Sequence, residues 1–186
     1  MRGLSNYGIK EADRLCSTTP KRSAAEILRD ASASGSITRP WLVSGATNNY
    51  QGSYCLNGYF YSDAPYTDSN LSFRTEADLR SPAASPLYAD SVWVDAWPRE
   101  TDLPARNLVN GDNFMASGLS RIAIPRHAAP RIANLSNFDL KSRLPGAVNS
   151  AFADSHVEVV RLERLWTLNW HRNWHAPEQR PGLEHN

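Results

Sequence analysis

The sequence predicts an α+β fold: an antiparallel β-sheet, a carboxyl-terminal β-hairpin and a short carboxyl-terminal helix, joined by many loops. Three observations carry this. The chain of 186 residues holds 12 prolines and 10 glycines among many Ser, Asn and Asp residues, which favours numerous turns over continuous helix. Two apolar runs, Ala147 to Phe152 and Val157 to Val160, are separated by the short polar Ala153-Asp154-Ser155-His156, the pattern of a hairpin. After them Leu162, Leu165, Trp166, Asn169 and Trp170 fall at helical spacing, so that a Leu/Trp stripe can pack on the sheet.

The remaining elements are weaker. Thr19-Pro20 with Ala24, Ile27 and Leu28 predicts a short helix capped by Thr19. Gly52 to Tyr61 is aromatic and strand-like, with Asn57-Gly58 supplying a turn or bulge, and 62–86 is a long surface loop. Ala89 to Ala96 reads as a strand with Val92 and Val94 on one face, and Arg121 to Pro125 as a brief strand ending in Arg126-His127. Between these lies a charged, proline-containing loop from Trp97 to Asn113, and 128–146 is a Pro- and Asn-rich excursion out of the sheet. Residues 1–175 are expected to form one globular domain, and 176–186 a flexible tail.

Composition bounds the function. With 41% hydrophobic and 21% charged residues the chain is globular, and a net charge of +1 offers no field to attract nucleic acid. No run approaches the roughly 20 apolar residues of a membrane helix, so no membrane span is expected. There is no Gly-x-Ser-x-Gly elbow, P-loop or Gly-rich dinucleotide fingerprint, hence neither an enzyme nor a cofactor is indicated. Cys16 and Cys55 could pair as one disulfide in an exported domain or remain two buried thiols.

The segment LPGAVNSAFADSHVEVVRLERLWTLNWHRNW, positions 144–174, resembles the end of bacterial prepilin-type proteins named for a His, a spacer and a terminal Asp-Gly. The match falls on Asn149, Ala151, Phe152, Ala153, Asp154, His156, Val157, Glu158, Leu162, Leu165, Trp166, Trp170 and His171. GSYCLNGYFY at 52–61 and ADSVWVDAWPRETDLP from 89 are similar to two further blocks of the family, and Cys16 corresponds to its Cys-Pro-Ser-like site, with Ser17 following directly. Two departures stand out. The Asp-Gly pair is Asp154-Ser155, which strains any turn needing positive φ, and 26 residues separate His127 from Asp154, so the Pro-rich excursion reads as an insertion. The leader, processing site and apolar helix with which members begin are not in this sequence.

The resemblance implies a pilin-like head and a non-catalytic subunit of a type II secretion or type IV pilus-like system, in the cell envelope or outside it. Its partners would be other pilin-like subunits or secretion-system components, engaged through the helix that this sequence lacks.

Several residues invite other chemistry. His127, Asp154 and His156 could bind a metal as in a hydrolase, although Asp154 at a turn more simply bonds turn amides and His127 the hairpin. His171 and His175 would share a helix face, but Arg172 stands where a zinc hydrolase needs Glu. Asp90, Asp95, Asp102 and Asp112 lack the alternation of a calcium loop, and no metal is assigned. A soluble extracellular module binding carbohydrate or another ligand is the alternative function, with Trp97 and Trp174 as its surface while Trp166 and Trp170 serve the core.

Overall fold

The computed structural model describes residues 15–23, 25–26, 34–44, 49–61, 68–112, 117–129 and 134–183. A two-stranded antiparallel ribbon comprises β1 (Trp41–Ser44) and β2 (Asn49–Gly52). The principal sheet has five strands: β3 (Tyr54–Asn57), β4 (Pro86–Asp90), β5 (Asp95–Ala96), β6 (Ala147–Phe152) and β7 (Val157–Arg161), in the order β5-β3-β4-β6-β7. Its pairs are antiparallel except β3 with β5, which is parallel. The fold is β-rich and loop-rich, and among the described residues the helical turns are short.

The alternation of a half-covered strand explains which side is the core. Cys55, Ala89, Val148, Phe152 and Val160 project from one face and are almost wholly buried. They meet Ile122, Ile124, Leu162, Leu165, Trp166 and Trp170 in one cluster. The Leu/Trp stripe thus packs on the sheet, but as a six-residue 3-10 turn, Leu162–Thr167, followed by extended chain. In a 3-10 run residues three apart share a face, so Leu162 and Leu165 are buried with Trp166 while Arg164 and Thr167 stay exposed. Each indole N–H on this stretch finds a carbonyl: Trp166 bonds Asp102 at 2.9 Å, Trp170 bonds Leu165 at 2.7 Å and Trp174 bonds Trp166 at 3.0 Å.

Several expected elements are corrected. The strand placed at 89–96 is two: β4 starts earlier, at Pro86, and the chain leaves the ladder at Ser91, whose N–H bonds Ser53, before β5 joins the far side of β3. Residues 121–125 form no strand. A 3-10 turn, Leu119–Arg121, leads into a buried crossing segment in which Ile122, Ala123 and Ile124 are all at 0% exposure. A strand buried on both sides and a buried irregular segment share the same apolar signal, which is why periodicity misled there. Asn57 ends β3 and caps the 3-10 turn Gly58–Phe60, accepting the Tyr59 N–H. The 128–146 excursion, where described, packs back onto the core with Phe138 and Leu144. Its ends meet, because His127 and Ala147 exchange both backbone hydrogen bonds at 2.9 and 2.8 Å.

Thr19 is not a helix cap: it is buried and accepts a bond from Arg126. Ser23 and Glu26 cap each other reciprocally instead, and the rest of that expected helix lies outside the described residues. The expected flexible tail is pinned as far as residue 183. Arg180, 4% exposed, bonds Glu163 at 3.0 Å and the carbonyls of Leu140 and Ser142 at 3.1 and 2.8 Å. Among the described residues no helix is long and apolar enough to cross a membrane.

The β6–β7 hairpin forms as the sequence predicts, and its turn places Ser155 at φ +75°. Glycine has no Cβ to clash in that left-handed region. Ser155→Gly is expected to stabilise the protein by about 0.5–1 kcal/mol, read as a higher urea midpoint with unchanged slope.

Candidate functional site

At the hairpin turn Asp154 Oδ1 accepts from the His156 backbone N–H at 3.2 Å and lies 2.6 Å from His156 Nδ1. That bond holds the exposed Asp154 carboxyl below its ordinary pKa. The His156 ring stacks on Phe152, 4.4 Å between centroids. Both residues therefore lock the turn. They are not joined by His127, which pairs with Ala147 at the opposite end of β6, five positions of about 3.3 Å each from Phe152. The His127–Asp154–His156 metal triad is not assembled.

His127 instead enters a different cluster. Tyr54, Asp90 and Asn149 lie abreast on β3, β4 and β6, one position beyond the Ala89–Ser150 pair. The Asn149 N–H donates to Asp90 Oδ2 at 2.7 Å, so a side chain takes over where the β4–β6 ladder ends. Asp90, 0% exposed, meets Arg126 Nε at 3.1 Å through Oδ1 and His127 Nε2 at 3.0 Å through Oδ2. The same His127 nitrogen lies 3.1 Å from Asn149 Nδ2 and 3.2 Å from Cys16 Sγ. Burial raises the Asp90 carboxyl above its usual range, while Arg126, the Asn149 N–H and His127 pull it back. The Tyr54 hydroxyl is pushed up to about 12 by burial, then by Asp90 and Cys16, and stays a donor.

Arg126 ties this cluster to the rest of the chain. Its guanidinium bonds Thr19 Oγ1 at 2.9 Å, the Ile37 carbonyl at 3.2 Å and the Ser91 carbonyl at 3.0 Å, besides facing Asp90. Cys16 is held by its own N–H, which donates to Ser53 Oγ at 2.5 Å. The structure thus joins Cys16, Asp90, His127 and Asn149, which all lie in the blocks that carry the resemblance, and adds Arg126. Sequence reasoning had grouped Asp90 with other scattered acids and left Arg126 in a bare Arg-His context. A carboxylate closing an apolar strand was the available signal, since such a group needs a buried cation.

Cys16 and Cys55 are free, so the disulfide is not formed; both are buried, and burial pushes the Cys55 thiol up to about 12. Two of the other acids serve local contacts. Asp95 pairs with Arg121 at 3.1 Å, and Asp102 accepts the N–H groups of Arg99 and Leu119. Trp174 is 9% exposed and belongs to the core, which removes it from the ligand surface. Trp97 is half-buried: its ring covers Gly58, where a Cβ would come within 2.2 Å, and faces Tyr61.

His171 and His175 share no helix face, because the chain there is turn and extended. His171 is buried against Tyr59 and Trp174, with Nε2 3.3 Å from Glu100. An open cleft of about 440 Å³ lies among Pro20, Lys21, Arg22, Glu26, Thr38 and Arg39, away from His127. No family model matches the chain, and no curated protein or solved structure does so either.

Two measurements check this description. Asp90→Leu or Arg126→Met alone leaves a buried charge without its partner and is expected to cost about 3–5 kcal/mol. The double replacement Asp90→Leu/Arg126→Met should cost less than either, in a denaturation cycle. Burial holds His171 below its ordinary pKa, with Glu100 acting the other way. The unfolded chain therefore takes up that proton first as pH falls, so this contribution is whole above the unfolded value near 6.5 and is lost below it. The urea midpoint should be level from about pH 8 to 7 and drop toward pH 5, with a shallower drop in His171→Gln.

Proposed function

We propose that the chain is the non-catalytic head of a pilin-like subunit in a type II secretion or type IV pilus-like system of the cell envelope. The observation that carries this reading is the part of the sheet's second face that lies beyond the buried Asp90 cluster, towards β7. Leu56, Tyr88, Ala151 and Val157 stand in register across β3, β4, β6 and β7; the first three are half-buried, while Val157 is 70% exposed and Val159 beside it 58%. The opposite face is already filled by the core. An apolar row on an antiparallel sheet suits a packed helix or a neighbouring subunit, and among the described residues β7 is an edge strand of that sheet. The family-like hairpin forms that edge, and its motif residues serve the turn and the core rather than an open cleft.

The test uses the gene product in its native cells, with Val157→Cys supplying a surface crosslinking site. Adducts to other pilin-like subunits or inner-membrane secretion components are expected, and Tyr88→Arg should reduce them at least several-fold while the purified protein keeps its circular dichroism. Adducts confined to unrelated soluble proteins, or none at all, would overturn the proposal.

A further inference from the structure

We propose that Cys16, Asp90 and His127 form a binding site for a borderline-soft divalent cation of the zinc type, one ion per chain, which clips the segment around Cys16 to the sheet. Three chemically different ligand atoms, Sγ of Cys16, Oδ2 of Asp90 and Nε2 of His127, lie within 4.8 Å of one another. They come from residues 16, 90 and 127, so the fold, not local sequence, brings them together.

The hydrogen-bonding arithmetic of His127 favours a cation between them. One ring nitrogen carries either one proton or one lone pair, yet Nε2 faces Asp90 at 3.0 Å, Asn149 at 3.1 Å and Cys16 at 3.2 Å. As a donor it has one proton for at least two acceptors, and as an acceptor it repels the carboxylate. A cation satisfies the nitrogen, the sulfur and the carboxylate oxygen together.

The spacing agrees. With bonds of about 2.0–2.3 Å to N, O and S in a tetrahedron, neighbouring ligand atoms stand about 3.4–3.6 Å apart. The two observed separations, 3.0 and 3.2 Å, reach that range by opening a few tenths of an ångström. Three protein ligands leave a fourth position for water, and a thiolate with an imidazole selects zinc over calcium or magnesium.

The same geometry disfavours a Cys-His-Asp nucleophile. A relay requires the acid and the nucleophile on different ring nitrogens, and here both meet Nε2. Asp90 suits a ligand role, since the Asn149 N–H already bonds its carboxylate as a metal site's outer partner does, with Arg126 Nε facing the other oxygen at 3.1 Å. The His127 side chain is 20% exposed, which leaves the ion a short path from solvent. On binding, the Cys16 S–H bond breaks, the sulfur keeps the electron pair to form the metal–thiolate bond, and one proton passes to solvent.

The reduced, chelator-treated full chain is titrated with Co²⁺ and then Zn²⁺. Expected are one equivalent bound, a thiolate-to-cobalt charge-transfer band that Zn²⁺ abolishes, and a rise in Tm with Zn²⁺. Cys16→Ser and His127→Gln should each remove the band and weaken binding by about 100-fold or more, whereas Cys55→Ser should keep it. In the unmutated chain, Zn²⁺ should protect Cys16 from alkylation, read by peptide mass, so the outcome does not depend on a variant folding. Equal alkylation with and without Zn²⁺, a band that survives Cys16→Ser, or folded protein that binds no ion would each overturn the site.

Discussion

The buried contact between Arg126 and Asp90 is the constraint on which the rest of the structure depends. Both side chains are at 0% exposure, and removing such groups from water costs several kcal/mol per ion unless each is well surrounded. The protein surrounds them by gathering distant segments. Thr19, Ile37 and Ser91 supply oxygens to Arg126, and Asn149 supplies an N–H to Asp90. The amino-terminal segment, the end of β4, the buried crossing at 119–126 and the start of the hairpin are therefore fixed to one another by a polar node. The apolar cluster on the core face of the sheet supplies the bulk of the burial. The node specifies how the irregular segments lie against it.

This division explains how much was legible in the sequence. The hairpin could be read because Val148, Ser150 and Phe152 alternate with residues of the other face, and because Asp154-Ser155 is a turn pair; even the strain at Ser155 followed from the missing glycine. The Leu/Trp stripe could be read as buried, though not as 3-10, since both helix types place apolar residues at neighbouring spacings. Ile122 and Ile124 were legible as apolar and illegible as irregular. Their backbone bonds go to neighbours within the segment, including Ile124 N–H to the Ile122 carbonyl, and no local pattern announces that.

The site was legible only in pieces. Cys16, His127 and Asn149 each drew attention through the family-like motifs, but nothing in linear order relates residue 16 to residue 127. Asp90 was hidden among acids that turned out to have ordinary local duties, such as Asp95 with Arg121 and Asp102 capping two backbone N–H groups. What separates Asp90 from those is depth, and depth is a property of the finished sheet. The same holds for Trp174 and Arg180: a tryptophan and an arginine near a polar terminus look like surface residues until the chain folds back over them.

The paired backbone bonds between His127 and Ala147 close the 128–146 stretch at its base. The chain departs from the sheet and returns to the same place, so the intervening stretch is a graft on a closed stem. Lengthening such a graft costs little, about 0.6 kcal/mol for each doubling of loop length. The distance along the chain from His127 to Asp154 can drift over evolution while the histidine's position beside β6 stays put. A template of a few atoms in space captures that position, and a count of residues along the chain does not.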